Sequence, residues 1–265
     1  MPDTVLSARQ GPIVAVTLNR PKSLNALDGE MLDALQDTFT RLEADLSVRA
    51  VVIRGAGDHF MAGGDIKFFH QSLDLPPEER RRRYELFVGR VHPTVTSIRR
   101  MRAPVIASVR GAAAGFGLSL VMACDLALAS EDAYFTLAYS LIGTSPDGSG
   151  TYHLPRTVGI KRAMEIALLA DRFDAKKALE LGLINRVVPA AELDAATAAL
   201  AERIAAGPTN AYGATKRLLN RSLANTLEAQ LQAEAESFAA CAATEDFKEG
   251  IRAFVEKRQA RFKGE

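Results

Sequence analysis

Four short apolar, β-branched runs constrain this chain more than anything else in it. They are PIVAVTL (12–18), RAVVIRG (49–55), APVIASV (103–109) and DLALAS (125–130). Each is followed by glycine or polar punctuation, as expected of buried strands. Between the first two, Asp28 is placed to cap a helix whose apolar stripe is Met31, Leu32, Leu35, Phe39, Leu42 and Leu46. A second helix is predicted from about Pro76 to Arg100, with its EERRRRYE run as a solvated face. Strands alternating with helices indicate an α/β fold. After about residue 190 the chain turns to Ala/Glu/Leu-rich helix formers without strand-like runs. The expected division is a core domain over 1–190 and a C-terminal helical region over 191–265.

Composition narrows the function classes. The 265 residues include 33 basic and 32 acidic side chains, a net charge of +1. That balance gives no electrostatic reason to expect nucleic acid or an anionic membrane as partner. No apolar stretch reaches the roughly 18 residues needed to span a bilayer, and MPDTVLSARQG lacks the pattern of a signal peptide. Cys124 and Cys241 suggest no disulfide framework, and the four histidines have no ligand-like spacing. The expectation is a metal-free cytoplasmic protein.

Two segments suggest backbone chemistry. GAGDHFMAGGDIKFF (55–69) leaves a strand, passes the adjacent glycines Gly63 and Gly64, and re-enters an apolar helical pattern. Such glycines let the backbone approach a ligand and leave N–H groups free to donate. RGAAAGFGLSLVMACDLALAS (110–130) runs through small residues to Gly115-Phe116-Gly117 and then into an apolar helix. The N–H groups there lie at a helix N-terminus, which favours negative charge. Two backbone donors converging on one oxygen would stabilise a developing oxyanion, each contributing roughly 3–4 kcal/mol. A third segment, LIGTSPDGSG (141–150), sets the carboxylate of Asp147 in a turn-forming context.

Together with TLNRPKSLNAL (17–27), LPRTVG (154–159) and EGIRAFVEKRQARFKGE (249–265), these segments resemble the crotonase superfamily, the enoyl-CoA hydratase/isomerase family, in family order along the whole chain. The resemblance implies a spiral of ββα units, a C-terminal helical region used in trimerisation, and homotrimers or dimers of trimers. It implies acyl-CoA thioester substrates, no cofactor beyond the coenzyme A of the substrate, and a thioester carbonyl held by two backbone N–H groups. By position those donors are Gly64 and Phe116, with the Phe116 ring expected in the acyl pocket. Lys22, Leu24 and Ala26, with Ala62, Gly64, Asp65, Ile66 and Lys67, match the family's pantetheine and adenine contacts. Phe254 and Lys257 match residues that reach the CoA from the C-terminal helices, often those of a neighbouring subunit.

The chemistry then turns on acids. Hydratases like the type member of the family use two glutamates, at positions that here read Ser119 and Tyr139. A hydroxyl with a pKa near 10 or higher is a poor general base at neutral pH. These two are expected to line the pocket or polarise substrate. Asp147 matches the aspartate base of family isomerases. AAAGFGLSLVMACD, IGTSPDGSGTYHLPR and the C-terminal tail look most like the 1,2-epoxyphenylacetyl-CoA isomerase-like members. The reading is an isomerase that moves a double bond or opens an epoxide through a thioester enolate, with Asp147 as acid/base. Its alternatives are an enoyl-CoA hydratase and a noncatalytic acyl-CoA-binding homologue. A halide-displacing relative also carries an aspartate here but depends on a tryptophan, and this chain has none.

Overall fold

The computed structural model describes residues 3–265. The first strands, β1 (Val5–Gln10) and β2 (Ile13–Leu18), pair antiparallel. Helix α1 (Gly29–Ala44) then leads to β3 (Ala50–Gly55), parallel to β2. Three helices follow, α2 (Ile66–His70), α3 (Pro77–Gly89) and α4 (His92–Arg100), before β4 (Val105–Val109). The middle of the chain comprises β5 (Ala112–Ala114), α5 (Phe116–Ala123), β6 (Leu126–Ser130), β7 (Tyr134–Thr136), α6 (Gly150–Val158), α7 (Ile160–Leu169), β8 (Phe173–Asp174), α8 (Ala175–Glu180) and β9 (Arg186–Val188). The last four elements are helices, α9 (Leu193–Ala205), α10 (Thr209–Ser222), α11 (Leu227–Ala242) and α12 (Glu245–Val255).

Strand order in the six-stranded sheet is β1-β2-β3-β4-β6-β9, and a second, three-stranded sheet has the order β5-β7-β8. All four apolar runs lie in the large sheet, as β2, β3, β4 and β6. Side chains alternate across it, because successive residues of a strand face opposite ways. Val51 and Ile53 join the main core with Leu35 and Phe39 of α1. Ala50, Val52, Ile106 and Leu128 face the other side, where Leu193, Ala201 and Ala205 of α9 cover them. The first helix of the C-terminal region is therefore a layer of the sheet domain, and residues 209–255 hold the helices beyond it. No helix among the described residues is long and apolar enough to cross a membrane.

Two expectations about helices need correction. The helix predicted over 76–100 is two helices, α3 and α4, with Pro93 in the first turn of the second. Proline has no N–H to donate, and its ring clashes with the carbonyl four residues back, so it is favoured in a first turn, where it sits here, over a helix interior. Leu46 is not part of the α1 stripe: α1 ends at Ala44 and Leu46 is 68% exposed. The Asp28 cap is present, its carboxylate accepting from Met31 N.

Candidate active site

The first donor loop is fixed by pairing on one side only. Leu27 N donates to Gly63 O at 2.7 Å, and Asp65 N donates to Leu27 O at 2.9 Å. This is a parallel bridge in which residues 63 and 65 turn toward Leu27, so the N–H of Gly64 between them points away. It meets no acceptor among the described residues. A Cβ at this position would overlap the far end of the Phe69 ring, which would have to shift to admit it. Phe69 in turn stands edge-on to Tyr84 and Phe87, at 5.4 and 6.1 Å between ring centres. Beyond this cluster opens a surface cleft of about 510 Å³, lined by Phe68, Leu75, Arg82, Arg83, Leu86 and Phe87 among others.

The second donor follows β5, which is bridged to Met61 through Met61 N to Ala112 O and Ala114 N to Met61 O, both 2.9 Å. Gly115, at φ 51°, turns the chain into α5. Phe116 is the first residue of that helix, and its N–H meets no acceptor among the described residues. Such an orphan donor at a helix start is suited to an anion. The two loops touch, since a Cβ on Gly63 (φ 92°) would lie 3.5 Å from Gly115 Cα. The two free N–H groups therefore lie on adjoining loops, each one residue beyond this approach.

The Phe116 ring, expected in the acyl pocket, packs against the Asp147 loop. It is 3% exposed and occupies the place of a Cβ on Gly148, whose φ is 56°. The ring is thus a wall beneath the Asp147 loop. Ser119, one turn further along α5 and fully buried, donates from Oγ to Asp147 O at 3.0 Å. Asp147 O also accepts from Gly150 N at 3.0 Å, so the residue does make a turn. The Asp147 carboxylate accepts from Tyr139 Oη through Oδ1 at 2.5 Å. Burial pushes the Asp147 pKa above the ordinary carboxylate value, against the opposing effects of the Tyr139 hydrogen bond and the charge of His92. Burial and the neighbouring carboxylate push the Tyr139 phenol upward as well, so it stays protonated and acts as donor. The two hydroxyls expected to line the pocket or polarise substrate thus sit beside the acid. Both are engaged with Asp147.

The residues expected to contact CoA divide in two. Lys22, Ile66 and Lys67 are exposed, Leu24 is half exposed, and Ala26 is buried. They cluster around the first donor, tied there by Ala62 N to Leu24 O at 3.0 Å. The Asp65 carboxylate is used internally. It caps α2 through Lys67 N and Phe68 N and pairs with Arg20 at 2.9 Å. Burial alone would raise its pKa, but the Arg20 and backbone N–H donors outweigh burial and hold it below the usual value. Phe254 and Lys257 are exposed and lie apart from the donors. Their segment is stitched to the opposite end of the sheet: Arg49, preceding β3, donates to Phe262 O at 3.0 Å, and Arg102, preceding β4, to Gly264 O at 3.0 Å.

Three residues that matter here went unread in the sequence. Arg20 bridges Asp28 and Asp65, each at 2.9 Å. Asn25, buried at φ 56°, accepts from Arg20 N at 2.9 Å and donates to Ala56 O and His59 O. Asparagine is among the few residues that tolerate that φ, and this was the available signal. His92 had no local signature.

Comparison with known proteins identifies the family and the fold. The family model for enoyl-CoA hydratase/isomerase matches residues 8–265. The chain is 34% identical over 264 residues to 1,2-epoxyphenylacetyl-CoA isomerase of Escherichia coli K12, covering 100% of both chains. It is 33% identical to the short-chain-enoyl-CoA hydratase of Clostridium acetobutylicum, covering 97% of this chain and 96% of that one. Among solved structures, an enoyl-CoA hydratase from Polaromonas sp. JS666 superposes with a TM-score of 0.91 at 34% identity, covering 98% and 99% of the two chains. One from Mycobacterium smegmatis gives 0.90 at 36% identity, covering 98% of each. With the donor loops, the α/β architecture and these full-length matches in agreement, the chain belongs to the enoyl-CoA hydratase/isomerase family, with the crotonase fold.

Proposed function

We propose that the protein is an acyl-CoA isomerase in which Asp147 shuttles a proton between two carbons of the acyl group. The carrying observation is a partly buried carboxylate on a loop packed against the second of two free backbone donors, with hydroxyls at the neighbouring positions 119 and 139. Asp147 takes a proton from a carbon conjugated with the thioester, and the released electron pair moves onto the carbonyl oxygen. The N–H groups of Gly64 and Phe116 hold that enolate oxygen. The protonated Asp147 then returns the proton at the other carbon as the electron pair falls back, leaving the double bond displaced. A carboxylate whose pKa burial raises above the ordinary value is a stronger base than an exposed one, which suits the removal of a carbon-bound proton. The reaction has no net redox change and draws no group from outside, so it needs no cofactor beyond the coenzyme A of the substrate.

The same reading assigns the CoA to the surface around Lys22, Leu24, Ala26, Ala62, Ile66 and Lys67. It assigns Phe254 and Lys257 to the site of a neighbouring subunit in a homotrimer or dimer of trimers. Hydration is the second reading, favoured by relatives named as hydratases at comparable identity. The test offers enoyl-, dienoyl- and epoxyphenylacetyl-CoA in deuterated buffer and follows products by mass spectrometry. Isomerised product and exchanged protons are expected from wild type, and neither from Asp147→Asn, which should still bind acyl-CoA. Product gaining the mass of water would establish the hydratase instead. Full activity in Asp147→Asn would overturn the assignment of the base.

A further inference from the structure

We propose that Tyr139 is a positioning residue that pins the Asp147 carboxylate by one oxygen and leaves the other as the oxygen offered to substrate. The proposal rests on Asp147 being the base and adds what makes it a directed one. Tyr139 Oη lies 2.5 Å from Oδ1 of Asp147, a short charge-assisted bond. Ser119 Oγ, 3.5 Å from the same phenol oxygen, fixes the Asp147 backbone through its carbonyl at 3.0 Å. The carboxylate and its main chain are thus held from α5 and from the 139 segment together.

The backbone carrying Tyr139 is itself constrained. Ala138 has φ 34°, uncommon for a residue with a Cβ, and Tyr139 N donates to Leu137 O at 2.5 Å across this one-residue turn. Thr136 Oγ1 accepts from Ala138 N at 3.2 Å and donates to Ala170 O at 2.8 Å. On the other side, Tyr139 O accepts from Ile142 N and Thr144 N, both at 3.1 Å. Strain held in place this way is concentrated where a side chain must be aimed. Here it aims the ring along Gly115, whose Cβ would lie 4.0 Å from the Tyr139 ring edge, immediately before the second donor. The phenol therefore spans from the oxyanion donors to the carboxylate. Tyr139 and His92 are the titratable groups that act on Asp147.

Tyr139→Phe keeps the ring and removes the bond. The expected result is a fall in kcat of about tenfold to 10²-fold, as for a misplaced reacting group, with KM essentially unchanged. The acid limb of kcat/KM should move to higher pH, since a bond that favoured the carboxylate is gone. A merely structural tyrosine would not move that limb. Should this variant fail to fold, replacing tyrosine with 3-fluorotyrosine keeps the shape and strengthens the donor, and the acid limb should move down. If Asp147→Asn is inactive while Tyr139→Phe keeps wild-type kcat and acid limb, or if the fluorinated enzyme's limb stays still, the positioning role is wrong and the base survives. If Asp147→Asn is active, both are wrong.

Discussion

Asp147 sits on a buried turn, and the same burial that fits it for proton transfer sets its effect on stability. A carboxyl whose folded pKa lies above its unfolded value of 3.8 binds more protons folded than unfolded. Its contribution to stability is therefore greatest below 3.8, falls as pH rises through the folded pKa, and stays low above it. Asp147→Asn keeps an oxygen for Tyr139 and cannot ionise. The variant should melt a few degrees higher than wild type at pH 7, and the gain should vanish near pH 4. Thermal unfolding at both pH values checks this, and a gain independent of pH would contradict the burial argument. Gly64 makes the complementary point, since Phe69 holds the space of its Cβ. Gly64→Ala should cost about 1–3 kcal/mol in denaturant unfolding, as overpacking does, and Phe69→Ala in the same chain should recover part of that loss. Simple additivity of the two losses would show that the ring moves freely.

At the level of elements, the loop bearing the first donor is clamped by Arg20, which reaches the α1 cap at Asp28 and the α2 cap at Asp65. Removing the guanidinium leaves two facing carboxylates and frees the loop. Arg20→Met should lose about 2 kcal/mol, the scale of a charged hydrogen bond, and should raise KM for acyl-CoA. Unchanged unfolding and unchanged KM would show the clamp to be idle. Because Asp65 has a lowered pKa, its contribution is present above the unfolded carboxylate value and is lost as pH falls below it. What the sequence disclosed follows from range of interaction. The four apolar strands and the α1 cap were legible, because each is written in a contiguous pattern, whereas Gly64 and Phe116 were assigned as donors through the family resemblance. The break at Pro93 was legible too, but the helical pattern on both sides masked it. The Arg20–Asp65 pair and the Phe116–Gly148 contact join residues distant in sequence, and the Tyr139–Asp147 bond crosses an irregular loop, so no local period records them.

Taken as a whole molecule, the chain leaves its last helices unfinished. Leu227, Leu231 and Phe238 of α11 are 68%, 55% and 70% exposed, and their spacing puts them on one helical face. Phe247, Ile251 and Phe254 form a face on α12, Phe254 being 85% exposed. The Phe238 and Phe247 rings stand 6.4 Å apart, so the two faces join. A continuous apolar surface of this kind on an amphipathic helix pair is unfavourable in water and fits burial against another copy. The proposed trimer predicts a sedimentation mass at three times 28.6 kDa, or at six times for paired trimers. Phe238→Asp with Phe254→Asp should release folded single chains, because neither ring is buried within its own subunit. If Phe254 and Lys257 serve a neighbour's CoA, those single chains should bind acyl-CoA more weakly while keeping the Asp147 loop intact. A wild-type chain sedimenting at 28.6 kDa with full affinity would remove the neighbour from the site and leave the exposed face to another partner.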